Sequence, residues 1–379
     1  MKRVLVLGCG EMGEMAIKDL YRYSEFDEIV VGTRSLKKAR QILSQLKGRN
    51  IAVSAEKIDV CRSEGVTPLM DGCQVVVNCV GPNYKYEVPI ALAAIEKKVN
   101  LIDINDDYLT TFEMYTLDQP AREAGIVIVL GLGASPGINN VFARAAADQL
   151  DKVEEIHTAW VMSGADPGGL ALTYHLLHSL SGKALTYCEG RLREVRSFRD
   201  GKEKILFPEP VGEQTVYHIG HPEPLTLSRS FQQARIINDK ATFYPPFVND
   251  LIVQLGRLVR KSRLQKGRGV NVQDPMDFAA ACFHKTCKNL NTVGKKGALR
   301  VMVKGLRDGK RKGITYASSG MLSEGTGMAA SIGAQMLLQG QVHGKGVLAP
   351  EECVDWRQFL KTIVSRRIGR LDIKEEDIN

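Results

Sequence analysis

The chain has 379 residues, 44% of them hydrophobic and 25% charged, with a net charge of +8. That length allows two or three domains, and the balance excludes a disordered or fibrous chain. Apart from one cluster between Lys295 and Lys312, the positive charge is dispersed, which suits anionic small molecules as well as polyanions.

The chain opens on VLVLGCGEMGEMAIKDL, a run of β-formers that breaks at Gly8, Gly10 and Gly13 and resumes as a helix. A strand, a Gly-x-Gly-x-x-Gly turn and a helix form a dinucleotide fingerprint. The first glycine allows the tight turn, the second lets backbone approach the pyrophosphate and the third lets helix pack on strand. Gly8, Gly10, Glu11, Met12 and Gly13 are therefore cofactor candidates. The start MKRVLVLGC imitates a secretory leader, but its apolar run is too short for one, and no later run reaches the length of a membrane span. A cytoplasmic protein without a membrane partner is the expectation. The eight cysteines show no framework spacing, and CFHKTC, Cys282 to Cys287, has the wrong spacing for a zinc knuckle, so no metal is expected.

The second strand ends on VVGTRS. An NAD-binding chain usually offers a carboxylate there to the ribose 2′-hydroxyl; here Thr33, Arg34 and Ser35 place two hydroxyls around a guanidinium. That group suits a 2′-phosphate and favours NADP over NAD. The alternative is that Arg34 stacks on adenine while the hydroxyls cap the next helix. Further cofactor candidates stand at strand ends: Asp59 and Val60 after the third, Asn78, Cys79, Val80 and Gly81 after the fourth, and Asp103 and Asn105 after the fifth, the last pair serving equally well as turn caps. Apolar strands separated by helices over residues 1–133 predict an α/β doubly wound parallel sheet, the Rossmann arrangement.

Residues 134–320 read as an α+β substrate and dimerisation domain. Asp200-Gly201 and Asp308-Gly309 each mark an antiparallel hairpin, HPEPLTL reads as a strand followed by Arg229, and two amphipathic helices lie between the hairpins. The basic stretch around Asp308 alternates with apolar residues and has no aromatic platform, so a solvated hairpin is expected rather than a nucleic-acid site. Residues 321–379 read as a C-terminal helical segment, rich in small residues, that packs back on the first domain.

Several segments, VLVLGCGEMG, VVVNCVGP, LIDIN, GLGASPGINNVFAR, HPEPLTLSR, RVMVKGLRDGKR and GKGVLAPEECVD, make the chain resemble the saccharopine dehydrogenase-like oxidoreductases. That family includes saccharopine reductase, carboxynorspermidine dehydrogenase and lysine 6-dehydrogenase. The resemblance implies a homodimeric NAD(P)-dependent enzyme of amino-acid metabolism, lysine included, working at a carbon–nitrogen bond of an amino-acid-like or polyamine-like substrate. It also sets Pro136, Gly137 and Asn139 beside that substrate. Where the family carries a GGLP-like motif and an aromatic-serine pair, this chain has SGADPGGLALTYHLLHSLSG, with His178-Ser179 in the pair's place; saccharopine itself is left open as the substrate.

The chemistry needs a proton carrier at nitrogen and a partner for substrate carboxylates. His178 and His221 are the catalytic candidates, with His175 beside them, and Arg229 is the carboxylate clamp; Tyr174 and Glu223 are further substrate contacts. Each has a structural alternative: His175 and His178 would face solvent, and His221 before Pro222 would be structural. The competing function is a catalytically silent NADP-binding sensor or scaffold.

Overall fold

The computed structural model describes residues 1–61, 63–166, 169–179, 182–264, 274–288, 290 and 297–378. The chain forms two compact units, Met1–Ala145 with Ser323–Ile368, and Ala146–Leu322 with Gly369–Asn379.

The first unit begins β1 (Arg3–Leu7), α1 (Glu11–Tyr23), β2 (Glu28–Thr33), α2 (Leu36–Leu43), β3 (Ala52–Lys57), α3 (Ser63–Met70), β4 (Val75–Asn78) and α4 (Asn83–Lys97). It continues β5 (Asn100–Asp103), α5 (Tyr108–Tyr115), α6 (Asp118–Ala124), β6 (Val127–Val129) and α7 (Ile138–Ala147). The strands line up as β3-β2-β1-β4-β5-β6, all parallel. β1 and β4 consist almost wholly of buried residues because both faces of the sheet carry helices. From β1 the chain winds outward to β2 on one side and β4 on the other, and this switch point opens the ligand crevice at the C-terminal strand ends.

The second unit adds β7 (Lys152–Ser163), α8 (Gly169–Ser179), β8 (Lys183–Cys188), β9 (Arg191–Arg196), β10 (Glu203–Leu206), β11 (Glu213–His218), α9 (Glu223–Ser230) and β12 (Ile236–Tyr244). It is completed by α10 (Phe247–Leu264), α11 (Pro275–Lys288), β13 (Ala298–Arg307) and β14 (Lys310–Ser319). The chain then supplies α12 (Leu322–Leu338), β15 (Gly346–Leu348), α13 (Pro350–Cys353) and α14 (Trp356–Ser365) to the first unit, where β15 pairs parallel with β6. It ends in β16 (Arg370–Asp377), a strand where helix was expected, antiparallel to β14. The second sheet runs β10-β11-β12-β7-β13-β14-β16, with β8 and β9 branching from β12. It is mixed, since β12 lies parallel to β7 while its other pairings are antiparallel.

Two sequence expectations change here. HPEPLTL is not a strand: Glu223–Ser230 form a helix with Pro222 and Pro224 at its start, where a fixed φ and a missing N–H cost nothing. Asp200-Gly201 does not close a hairpin either. β9 pairs back on β8 through Glu189-Gly190, both at positive φ, and β10 pairs with β11; Asp200 instead turns the chain by binding the Arg196 backbone and guanidinium. Asp308-Gly309, at φ 51° and 72°, does join β13 to β14 as the primed turn requires. Four basic residues of that hairpin are paired, Lys304 with Glu155, Arg307 with Glu375, Arg311 with Glu154 and Lys312 with Asp377; Lys295 and Lys296 lie outside the described residues.

Candidate functional site

The glycine loop is built by close approach. Gly8 takes φ +87°, and a Cβ there would lie 2.8 Å from the Cys79 carbonyl oxygen, while one on Gly13 would lie 2.2 Å from the Gly8 oxygen. Gly10 is different: a Cβ on it meets nothing within 4 Å. It caps α1 without a side-chain hydrogen bond, so no cap side chain stands in front of the helix N-terminus. An open second glycine at an N-terminus whose cap carries no side chain fits a dinucleotide pyrophosphate.

At the end of β2, Thr33 is buried and committed internally. Its hydroxyl lies 3.1 Å from the Cys9 sulfur and accepts the Ser35 amide at 3.2 Å. Ser35 caps α2 by accepting the Lys38 amide. Arg34 and Ser35 are both exposed, and of the two only Arg34 carries a charge. Tyr86, on α4, joins it at this end: burial pushes its phenol up, with Cys61 and Asp59 adding to the rise and Arg34 opposing it. Asp59 is exposed and accepts the Cys61 amide at 3.1 Å, whereas Val60 belongs to the core. The crevice end thus groups Arg34, Asp59 and Tyr86, and the last was absent from the sequence reading.

The strand ends of β4 and β5 meet over a second residue that the sequence reading missed, Glu87. Asn78 donates to Glu87 Oε2 at 2.9 Å and accepts the Val80 amide at 3.0 Å. Asp103 Oδ1 accepts the amides of Asn105, at 2.8 Å, and Gly131, at 2.7 Å, and Asn105 donates to the Thr111 hydroxyl at 2.9 Å. Asp103 and Asn105 thus serve as turn caps. Burial raises Asp103 to about 7 and Glu87 well above the usual carboxylate range, the Asp103 charge adding to the latter. Cys79 is pushed up to about 12 by burial and then by both carboxyls, so its thiol is inert. Gly81 precedes Pro82 through a cis bond.

The loop after β6 is equally tight. Gly137, at φ +119°, leaves no room for a Cβ, which would sit 2.1 Å from the Gly133 oxygen. Pro136 packs on Gly131, and Asn139, fully buried, donates to Ser135 at 3.0 Å. Asn140 links this loop to α13 through Glu351 at 2.9 Å. All of these residues belong to the first unit.

In the second unit His221 is buried against Trp160, ring centroids 5.0 Å apart, with Glu223 Oε2 3.6 Å and Asp239 Oδ2 3.8 Å from its Nδ1. Asp239 accepts Thr158 Oγ1 at 2.6 Å and Trp160 Nε1 at 3.3 Å. Burial, then the Glu223 charge, lifts its carboxyl well above the usual range. His175 does not face solvent; it is buried with its ring 6.2 Å from His221. His178, one turn on along α8, is half-buried. Tyr174 hydrogen-bonds Asp277 of α11. Arg229 is exposed at the far end of α9, about 9 Å of helix rise from Glu223. The structure therefore gathers His175, His221 and Glu223, adds Trp160 and Asp239, and leaves Arg229 apart. His221, Glu223 and Asp239 could also hold a metal ion, but Thr158 and Trp160 already engage both Asp239 oxygens. Cys287 of the CFHKTC stretch is buried and raised to about 12.

A parallel sheet with an open glycine turn at its switch point defines a dinucleotide-binding protein. Residues 4–129 match the saccharopine dehydrogenase NADP binding domain. The chain is similar to the carboxyaminopropylagmatine dehydrogenase of Synechocystis, at 21% identity over 93% of each chain. It is also similar to the carboxynorspermidine synthase of Vibrio cholerae, at 23% over 77% and 78%. Its fold is that of apo saccharopine dehydrogenase (L-Glu forming) from Saccharomyces cerevisiae, TM-score 0.69 at 14% identity over 99% and 100% of the chains. The chain thus carries a saccharopine dehydrogenase-type NADP binding domain and is an NAD(P)-dependent oxidoreductase. Among the described residues no helix is long and apolar enough to cross a membrane.

Proposed function

We propose that the protein is an NADP-dependent oxidoreductase that moves hydride at a carbon–nitrogen bond of an amino-acid-like or polyamine-like substrate, as a homodimer in the cytoplasm. The observation that carries the cofactor choice is the end of β2, where Arg34 is exposed and no carboxylate stands. A guanidinium binds a 2′-phosphate by charge-assisted hydrogen bonds and has little to offer a 2′-hydroxyl. The substrate class is supported by the names of the relatives, a carboxyaminopropylagmatine dehydrogenase and a carboxynorspermidine synthase. All eight cysteines are free, in keeping with a reducing compartment.

When bound, the nicotinamide supplies or accepts hydride at its C4. The protein's own work is to manage the proton. In the oxidative direction hydride leaves the carbon, a proton leaves the nitrogen, and the imine forms; reduction reverses both. His221 is the proposed proton carrier, since the Glu223 and Asp239 carboxyls beside its Nδ1 hold the ring in place. His178 is the second candidate. Pro136, Gly137, Asn139, Tyr174, Glu223 and Arg229 remain proposed substrate contacts, Arg229 for a carboxylate.

Titration of pure protein with NADPH and NADH by fluorescence quenching tests the cofactor claim, which fails if NADH binds more tightly. Arg34→Ala should weaken NADPH by about tenfold or more while leaving NADH nearly unchanged. Turnover with secondary-amine and primary-amine amino acids then reads the substrate class.

A further inference from the structure

Glu87 is the lone acid in the apolar stretch YEVPIALAAI, and nothing in the hydride chemistry calls for it. Its surroundings give it a different task. Oε2 accepts from Asn78, whose own oxygen holds the Val80 amide in the loop after β4. Asp103 Oδ1 holds the amides of Asn105, after β5, and Gly131, after β6. That leaves Glu87 Oε1 and Asp103 Oδ2 buried with no N–H or hydroxyl donor among the described residues. Two ionised carboxylates cannot satisfy each other, but one acid and one carboxylate can. The two carboxyls lie close enough to act on each other, raising Glu87 and favouring ionisation of Asp103, and a hydrogen bond donated by Glu87 to Asp103 would satisfy both unpartnered oxygens. Asp103 already collects two backbone donors, which fixes it as the acceptor.

We propose that Glu87 is a positioning residue of the cofactor crevice: as the neutral acid it bridges Asn78 to Asp103, and this one shared proton holds the loops after β4, β5 and β6 in register. The proposal rests on the reading of that crevice as a nicotinamide-dinucleotide site. Losing the proton sets two negative charges side by side in the core. Asp106, after β5, raises both members of the pair further, and the Cys79 thiol, after β4, is itself raised by them. Cys79, at about 12, stays protonated throughout the accessible alkaline range.

The test is NADPH affinity and melting midpoint from pH 7 to pH 10 for wild type, Glu87→Gln and Glu87→Ala. Glutamine keeps both the acceptor toward Asn78 and a donor toward Asp103 but has no proton to lose. It should bind within about threefold of wild type at pH 7 and show flat profiles. Wild type should lose about tenfold in affinity per pH unit once the pair ionises, with its melting midpoint falling in parallel. Glu87→Ala should bind at least about tenfold more weakly at every pH; should it fail to fold, the glutamine comparison still decides. Coincident profiles for wild type and Glu87→Gln overturn the proposal, as does a glutamine variant as weak as alanine. If wild type binds neither NADPH nor NADH, the cofactor reading fails, and the pH dependence of the two melting curves still decides the role of Glu87.

Discussion

Gly10 and Gly13 are three positions apart and serve opposite needs. Gly10 is extended, at φ −63° and ψ −165°, with nothing within 4 Å of its missing Cβ, whereas Gly13 lies against the Gly8 oxygen at 2.2 Å. Gly10→Ala should therefore leave denaturant stability within about 0.5 kcal/mol of wild type and weaken NADPH on the order of tenfold, because the added methyl stands where the pyrophosphate approaches. Gly13→Ala should cost about 1–3 kcal/mol in urea unfolding, since backbone has to shift. The spacing of the three glycines was legible in the sequence; which of them faces a ligand was not. His221→Asn should lower turnover by about 10²–10⁴-fold and leave NADPH affinity unchanged; an equal loss in both would mean that the residue is structural. Its partners Trp160 and Asp239 come from strands 61 and 18 residues away in the chain, and nothing local announces them.

At the scale of elements, the small residues of α12 were read as a licence for close helix packing, and within the first unit they provide it. A Cβ on Gly327 would lie 2.2 Å from the Met12 carbonyl oxygen, and one on Gly333 2.2 Å from Leu132. The same contact is fastened by Ser331, which donates to Asp19 at 2.6 Å, and by Arg366, which pairs with that carboxylate. Gly327→Val should destabilise by about 2–3 kcal/mol in urea unfolding and, by pushing α12 off the first turns of α1, weaken NADPH as well. Misreadings at this scale share one cause. HPEPLTL carries alternating apolar residues that suit a strand, but two prolines at its start suit a helix, and burial of Leu225 and Leu227 against the sheet settled the competition. Asp200-Gly201 has hairpin chemistry, yet strand pairing is non-local, and Glu189-Gly190 claimed β9 first.

The molecule as a whole carries several carboxyls whose ionisation burial opposes, and this sets the pH dependence of its stability. Asp103 is raised to about 7, and Glu87 and Asp239 are raised well above their ordinary values. An acid with a raised folded-state pKa binds more protons folded than unfolded, so its contribution is complete below the unfolded value and is lost as pH rises through the window between the two. Each such group lowers stability by up to about 1.4 kcal/mol per pH unit there. Glu155 works in the opposite sense: its hydrogen bond from His157 and the pairing with Lys304 lower it to about 2, so its contribution is lost as pH falls below the ordinary range. Melting midpoints between pH 3 and pH 9 should therefore peak near pH 5 and decline toward alkaline pH; a midpoint that keeps rising above pH 6 would contradict the buried-acid account. By itself the sequence determined the parallel nucleotide-binding sheet, its glycine turn and the missing acid at the end of β2, because hydrophobic periodicity and turn chemistry are local and each is written in consecutive residues. Only the tertiary structure decided that Glu87 meets Asp103, that His221 lies between Glu223 and Asp239 under Trp160, and that Arg229 points elsewhere. Those outcomes depend on which strands become neighbours and how deeply each carboxyl is desolvated, and neither is a property of any one stretch of chain.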